Sequence, residues 1–455
     1  MFIVWRDFSM NCIRPLIIAI CWLAASCTPV PQTDDSTVAN LVQNRIDKRV
    51  HWNQATFEDT QVQTCIELLL KQEQTEESLV QIALLNNPQI QAHFENLGIA
   101  QADLVQAGLL QNPIFAAMLR LPSQNSYSTN VEFSVTQSFL DVFLIPLRKK
   151  IAVTELEQAQ FRVASLIISL AFDVEETYYN LQAEQIKVQL LVELVEAKEA
   201  SVLLAKSQYD SGNSNDLEFQ GFAHAYLLAK LDLFISQACL ASLREKMNTL
   251  LGLSSTFVIS NKLSKPPQEE LVKESIERFA IDHRLDVSLA RLEIKRICQM
   301  MGLKQWWAYT DLSLGISGER DLEGEKALGP TAVVSLPLFN HGQADRARLH
   351  AKLKASQKQL QALNIEVLAE VRRQLELLTI NKSRVELYSN ELLPLQQNIV
   401  SCSQKYYNVM GLSVYTLLQN KQNEVKTQIA YTEALRDYWV AKLGLYRAVG
   451  GKISL

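Results

Sequence analysis

The sequence predicts a mainly α chain with a membrane β component, in which a long coiled-coil-like α-helical barrel continues four β-strands lent by each chain to a shared barrel. Three observations predict it. Several very long stretches contain neither Gly nor Pro, the chain repeats itself once, and each repeat carries two strand-like segments at the same place.

The first residues read as an address. Arg6 and Arg14 supply positive charge, Leu16 to Ala25 is apolar, and Ala24-Ala25-Ser26 places small residues before Cys27. An apolar run of ~10 residues is too short for a membrane helix, which needs ~20, but it suits a signal h-region. The stretch resembles a bacterial lipobox, with Ala24 where Leu is usual, so Cys27 is the expected lipidation site. Ordinary signal cleavage with Cys27 as a bystander is the plainer alternative. Either Met1 or Met10 can serve as the start. Thr28, rather than Asp, after the cysteine accords with sorting to the outer membrane.

Cys65, Cys239, Cys298 and Cys402 are scattered, without a CxxC pair. They form neither a disulfide framework nor a zinc pattern and read as isolated buried thiols, one disulfide being possible. A formal charge of −5 on 455 residues implies no nucleic-acid partner. No segment after Cys27 reads as a transmembrane helix, which leaves any spanning to strands.

The helical runs come next. Residues 147–211, 222–251, 343–393 and 412–443 are free of Gly and Pro, whereas a mean helix has only ~11–12 residues. Leu156, Ala159, Val163, Leu166, Leu170, Val174, Tyr178 and Leu181 form one stripe at steps of three and four. Leu360, Leu363, Val367, Val371, Leu375 and Leu378 form another. Such stripes belong to helices packed side by side along their length, in a coiled coil or in an ordinary long bundle. Pro394 interrupts the second long region and is expected to kink it or to mark an element boundary.

The repeat is read from three correspondences in order. Gly108-Leu109 recurs as Gly302-Leu303, Val135 to Phe139 as Ser335 to Phe339, and Tyr209 to Gly212 as Tyr407 to Gly411. The strand candidates are Ile114–Leu121 and Val131–Gln137 in the first unit, with a turn at Pro122 to Ser126. In the second unit they are the alternating Leu312, Leu314 and Ile316, then Thr331–Phe339 after a loop from Gly318 to Gly329. Trp306, Trp307 and Tyr309 stand where an interfacial aromatic belt would want them, or else in a soluble core. The resulting organisation is a lipoprotein signal peptide at 1–26 and an N-terminal lipid-anchored linker at 27–77. A first repeat follows at 78–258, a linker at 259–274, and a second repeat at 275–455.

Lipid offers no hydrogen bonds to an open sheet edge, and four strands cannot close a barrel alone. Three copies give about 12 strands, an even number within the range of known barrels; two give about 8, too narrow for a channel. The expected state is therefore a homotrimer in outer-membrane lipid.

At this point the sequence resembles the TolC-type outer-membrane factor (outer membrane efflux protein) family, lipoprotein subgroup. The resemblance rests on Leu79 to Ile90, on Gln106-Ala-Gly-Leu-Leu-Gln-Asn-Pro113, on Ser335-Leu-Pro-Leu-Phe-Asn340, and on the two tips. It implies a trimeric 12-stranded outer-membrane barrel and a helical tunnel in the periplasm. It further implies a periplasmic adaptor protein docked at Tyr209, Gly212, Tyr407 and Gly411, and an inner-membrane pump behind that adaptor. The family commonly carries acidic residues just after the second tip. Here those positions are the neutral Thr416 and Gln419, so weak cation binding and weak pH dependence are expected at that constriction. Glu218 near the first tip either supplies charge there or belongs to a solvated helix face.

No catalytic residue, cofactor or metal is assigned. The six histidines, at 51, 93, 224, 283, 341 and 350, have no ligand spacing, and no P-loop, dinucleotide fingerprint or GxSxG occurs. The expected function is the outer-membrane channel of a tripartite efflux or export system. A lipid-anchored coiled-coil scaffold or adhesin without a pore is the alternative, but such a scaffold needs no paired amphipathic strands. The cargo (drug, metal ion or polypeptide) is not legible.

Overall fold

In the computed structural model, the described residues are 35–54, 57–71, 73–121, 129–253, 257–260, 262–267, 273–304 and 310–452. The signal segment, Cys27, the Pro122 to Ser126 turn, Trp306, Trp307 and Tyr309 lie outside them.

Two helices, α1 (Ser36–Ile46) and α2 (Phe57–Leu70), precede a series of elements that occurs twice. The first series is α3 (Glu76–Asn86), α4 (Pro88–Ala107), β1 (Ile114–Arg120), β2 (Asn130–Ser138), α5 (Leu140–Asp210) and α6 (Asp216–Leu251). The second is α7 (Lys273–His283), α8 (Leu285–Leu303), β3 (Leu312–Arg320), β4 (Lys326–Val334) and α9 (Gln343–Leu387). It continues through a π-helical turn at Tyr388–Leu392 into α10 (Leu393–Asn408) and α11 (Val414–Val449). With 71 residues, α5 is about 105 Å long at 1.5 Å per residue.

Start signals are explicit in the sequence. Thr75 accepts from the Ser78 N–H while the Ser78 hydroxyl receives the Thr75 N–H, a capping box. Asn87 caps α4, with Pro88 at its first turn.

Each series has its own apolar core. The first gathers Leu79, Ile82, Phe94, Leu97, Ile167, Phe172, Met247 and Leu251. The second gathers Ile276, Val287, Val367, Val371, Leu378, Leu435 and Leu445. Val163, Val174, Tyr178 and Leu181 of the expected stripe are buried, while Leu166 is exposed. Its place is taken by Ile167, one position further round the helix.

Several expectations are corrected. Within the stretch 27–77, Ser36–Ile46 is more than a linker, because Val38, Val42 and Ile46, one helical stripe on α1, are buried in the first core. The segment 259–267 is pinned: the Gln182 amide donates to the Ser260 and Lys262 carbonyls, and the Trp439 indole to Ser264. Cys65, Cys239, Cys298 and Cys402 are free and exposed. Each sits one residue from a buried position (Ile66, Leu240, Ile297 and Ser403), and one helical step of about 100° turns it outward. α5 begins before Pro146 and contains it, so the first long helix also carries a proline.

One helix, α6, is long and apolar enough to cross a membrane by length and composition. It escapes a search for unbroken apolar runs because Lys230 and Asp232 lie within it. It runs beside α5, and Leu227, Leu231, Phe234 and Ile235 are exposed.

At Pro394 the outcome is an element boundary. Proline lacks an N–H and crowds the carbonyl four residues back. Just upstream the ladder widens, with the Leu393 N–H donating to the Tyr388 carbonyl.

The C-terminal end of α11 is clasped to the first series. The Lys452 N–H donates to the Arg45 carbonyl (2.7 Å), and its Nζ lies 2.8 Å from the buried Glu175 carboxylate. The Tyr179 hydroxyl donates to Glu76 beside it. Burial pushes the Glu175 carboxyl up to about 7, against the opposing pull of Lys452. Burial also lowers the Lys452 ammonium, but the carboxylate of Glu175 raises it on balance. Since the folded carboxyl holds its proton above the ordinary value of 4.5, its stabilising contribution is complete below that pH and is lost as pH rises to about 7. Thermal melts across this window should fall more steeply for the natural protein than for Glu175→Gln. Equal slopes would show that the cluster does not govern the pH response.

Candidate functional site

Two regions are candidates, the sheet and the helix tips. The sheet is antiparallel in the order β1-β2-β3-β4. β4 begins at Lys326 and ends at Val334, so Ser335 to Phe339 lies beyond it, and most of the expected loop from Gly318 to Gly329 is strand. The connection is a tight turn in which the Asp321 N–H donates to the Glu325 carbonyl (3.0 Å). Gly324 occupies the left-handed region at φ 93°.

The register sorts every side chain to one of two faces. Phe115, Val135, Ile316 and Pro330 align across the sheet, as do Ala117, Phe133, Gly318 and Leu328. That face is apolar. Ala116, Ser134, Ser317 and Gly329 align on the other face, together with Thr136, Gly315 and Thr331. The Thr331 hydroxyl donates to Ser317 across the strands (2.5 Å). Along β2, Val131, Phe133 and Val135 are exposed, whereas Glu132, Ser134 and Thr136 are half-buried, so the polar face is the sheltered side of the sheet. Gly315 is required by close approach, since a Cβ there would stand 2.0 Å from the Val135 carbonyl oxygen. Within the described residues, β1 and β4 each have one edge without a strand partner.

The tips lie at the far ends of the long helices. α5 ends at Asp210, and Gly212 adopts φ 76°. Asn215 then caps α6 by accepting the Glu218 N–H (2.9 Å), and the Ser214 hydroxyl donates to the Glu218 carboxylate (2.6 Å). Glu218 is thus engaged in starting a helix. At the second tip Ser413 caps α11, but the left-handed residue is Met410 (φ 56°), not Gly411.

The hydrogen bonds explain the shift. The Asn213 N–H reaches the Gln208 carbonyl, and the Gly411 N–H reaches that of Tyr406, both 2.8 Å. The tips therefore superpose with Gly212 on Met410 and Asn215 on Ser413. Matching the capping residues rather than the glycines would have revealed this from sequence. Tyr415 joins the tips, donating to Gln208 (2.9 Å) and stacking on Phe222 (4.9 Å). Tyr209, Tyr407, Val409 and Met410 are exposed.

Thr416 and Gln419 lie on one exposed face in the first turns of α11. Thr416 donates its N–H to the Ser413 cap, and Gln419 donates to Asn423 (3.2 Å). Among the described residues, no three His, Cys, Asp or Glu side chains come together to hold a metal.

Comparisons agree with this geometry. Residues 79–252 match the family described as outer membrane efflux protein. The cobalt-zinc-cadmium resistance protein CzcC of Cupriavidus metallidurans is 17% identical over 382 residues, spanning 83% of this chain and 90% of that protein. The fold matches the Campylobacter jejuni CmeC outer membrane channel at TM-score 0.70 and 14% identity, covering 83% of this chain and 85% of that one. CusC matches at 0.68 and 16% identity, covering 84% and 93%. The open-state Neisseria gonorrhoeae MtrE outer membrane channel also matches at 0.68, with 15% identity, covering 83% and 89%.

Met410 is 95% exposed, so Met410→Gly removes the left-handed penalty at little loss of contact. Hydrogen exchange at the Gly411 amide should slow by the equivalent of about 1 kcal/mol. Gly212→Ala should speed exchange at the Asn213 amide by a similar factor, and no change at either tip would refute the assignment. With the repeated order of elements and the register of the sheet in place, the chain has the fold of these outer membrane channels, and its residues 79–252 are similar to the outer membrane efflux protein family.

Proposed function

We propose that the chain is the outer-membrane conduit of a tripartite efflux system, working as a homotrimer anchored through lipid on Cys27. The observation that carries this reading is the sheet, with one continuous apolar face, one sheltered polar face and open outer edges on β1 and β4. In hydrocarbon those edges must be paired. The simplest closure sets β4 of one copy against β1 of the next, and three copies then make about 12 strands. The apolar face turns to lipid and the polar face to the lumen.

The exposed apolar side of α6 fits the same assembly. Four residues of that character along one helix are expected to be covered by a neighbouring copy's helices, as in a closed helical wall. The tips, with Tyr209, Gly212, Tyr407 and Gly411, are the proposed landing points of a periplasmic adaptor that serves an inner-membrane pump. Thr416 and Gln419 would form a neutral polar constriction. A scaffold without a pore leaves the two-faced sheet without a purpose. CzcC carries cobalt, zinc and cadmium in its name, but in this chain no ligand cluster among the described residues selects a metal.

Heat-modifiable trimers in outer-membrane fractions that conduct ions in planar bilayers are the expected result, and a water-soluble monomer would overturn the proposal. Trivalent cations added from the periplasmic side should block weakly, and Thr416→Asp should create strong block. Strong block of the natural channel from that side would contradict the assigned constriction.

A further inference from the structure

We infer that the outer mouth of the conduit is a cation-selecting ring built by Glu132 of β2 and Glu319 of β3, an inference that rests on the conduit reading. The two carboxylates stand directly opposite each other in the β2–β3 register. They share the polar face with Ser134 and Ser317, near the sheet end farthest from the helices, since α5 and α9 follow the opposite ends of β2 and β4.

Like charges directly opposite on neighbouring strands destabilise a sheet, and the repulsion here is only partly relieved. Arg120 of β1, on the same face, approaches Glu132 at 3.9 Å and is well exposed. The Asn130 amide donates to Glu319 (2.7 Å). Asn130 is 4% exposed, yet its Oδ1 has no hydrogen-bond partner. An unpaired buried carbonyl oxygen beside a carboxylate pair adds to the uncompensated negative potential of this face.

The charges of this face are Arg120, Glu132 and Glu319, a net of −1 per chain, which threefold assembly repeats around the lumen. The flanking turn adds Asp321, Glu323 and Glu325, while Arg320 and Lys326 pair with each other on the apolar face. The mouth is therefore acidic where the periplasmic constriction is neutral. At 0.1 M salt the Debye length of ~10 Å leaves such a ring effective, whereas at 1 M it shrinks to ~3 Å.

The test is the reversal potential of single channels in planar bilayers under a KCl gradient of about tenfold at low salt, the regime in which screening is weak. The natural channel should prefer K⁺ over Cl⁻. The double variant Glu132→Gln/Glu319→Gln should move the reversal potential at least halfway to zero, and Arg120→Gln should move it away from zero. Both differences should vanish near 1 M salt.

Natural channels whose selectivity is unchanged in both variants would overturn this inference while leaving the conduit intact. So would an equal shift on neutralising Glu323 and Glu325 of the turn, which would mark diffuse surface charge. If the double variant fails to form heat-modifiable trimers, Arg120→Gln decides alone, and an unchanged or reduced K⁺ preference refutes the ring. Absence of any conductance in the natural protein would overturn the conduit reading itself.

Discussion

A strand that enters hydrocarbon has only other strands to satisfy its backbone N–H and C=O groups, because lipid supplies neither donor nor acceptor. This chain builds four strands in one antiparallel sheet and leaves the outer edges of β1 and β4 open within its described residues. In the proposed conduit, sealing those edges between copies is the condition on which the rest of the architecture depends. It explains why the two element series are fused into one chain. The β2–β3 pairing joins the strand pairs of both series, so each chain presents one continuous four-stranded sheet instead of two loose hairpins. It also explains why Phe133 and Ile316 fall on one face and Ser134 and Ser317 on the other, since a one-residue slip in register would exchange them.

The helices obey a related constraint at lower cost. Water satisfies their outer faces, so a single chain can expose them, and stability comes from two compact cores near the short helices α3, α4, α7 and α8. Away from these cores the long helices bury little beyond Leu191, Leu194 and Val425. The apolar side of α6 remains uncovered in one chain. The clasp of Lys452 on Glu175 ties the end of α11 to the first series at the level of the cores. It couples both halves where packing is dense and leaves the long helices to extend freely from there.

Charge is distributed along the same axis. The start of α11 carries neutral hydrogen-bonding side chains, and of the acids at the first tip (Asp210, Asp216 and Glu218) Glu218 is engaged at the start of α6. Carboxylates on the sheltered sheet face gather instead toward the distal end, around Glu132 and Glu319. The proposed ion discrimination and the proposed adaptor docking thus fall at opposite ends of the molecule, about 105 Å apart by the length of α5.

The sequence alone determined the existence of the long helices, the repeated order of elements and the existence of two amphipathic strand pairs. Each follows from local physics: absence of Gly and Pro, stripes at steps of three and four, and alternation along Val131 to Gln137. Tertiary structure decided what depends on partners distant in the chain. The two faces of β1, where both sides are apolar, became distinct only through pairing with β2. The end of β4 at Val334, rather than Phe339, was set by its register with Leu312. The cysteines turned outward because neighbours one step round each helix took the core positions. At the second tip, Met410 took the left-handed place that the position of Gly411 had suggested for glycine. There the hydrogen bonds that close the helix, and the cap that opens the next, fixed the geometry more strongly than the residue's own preference.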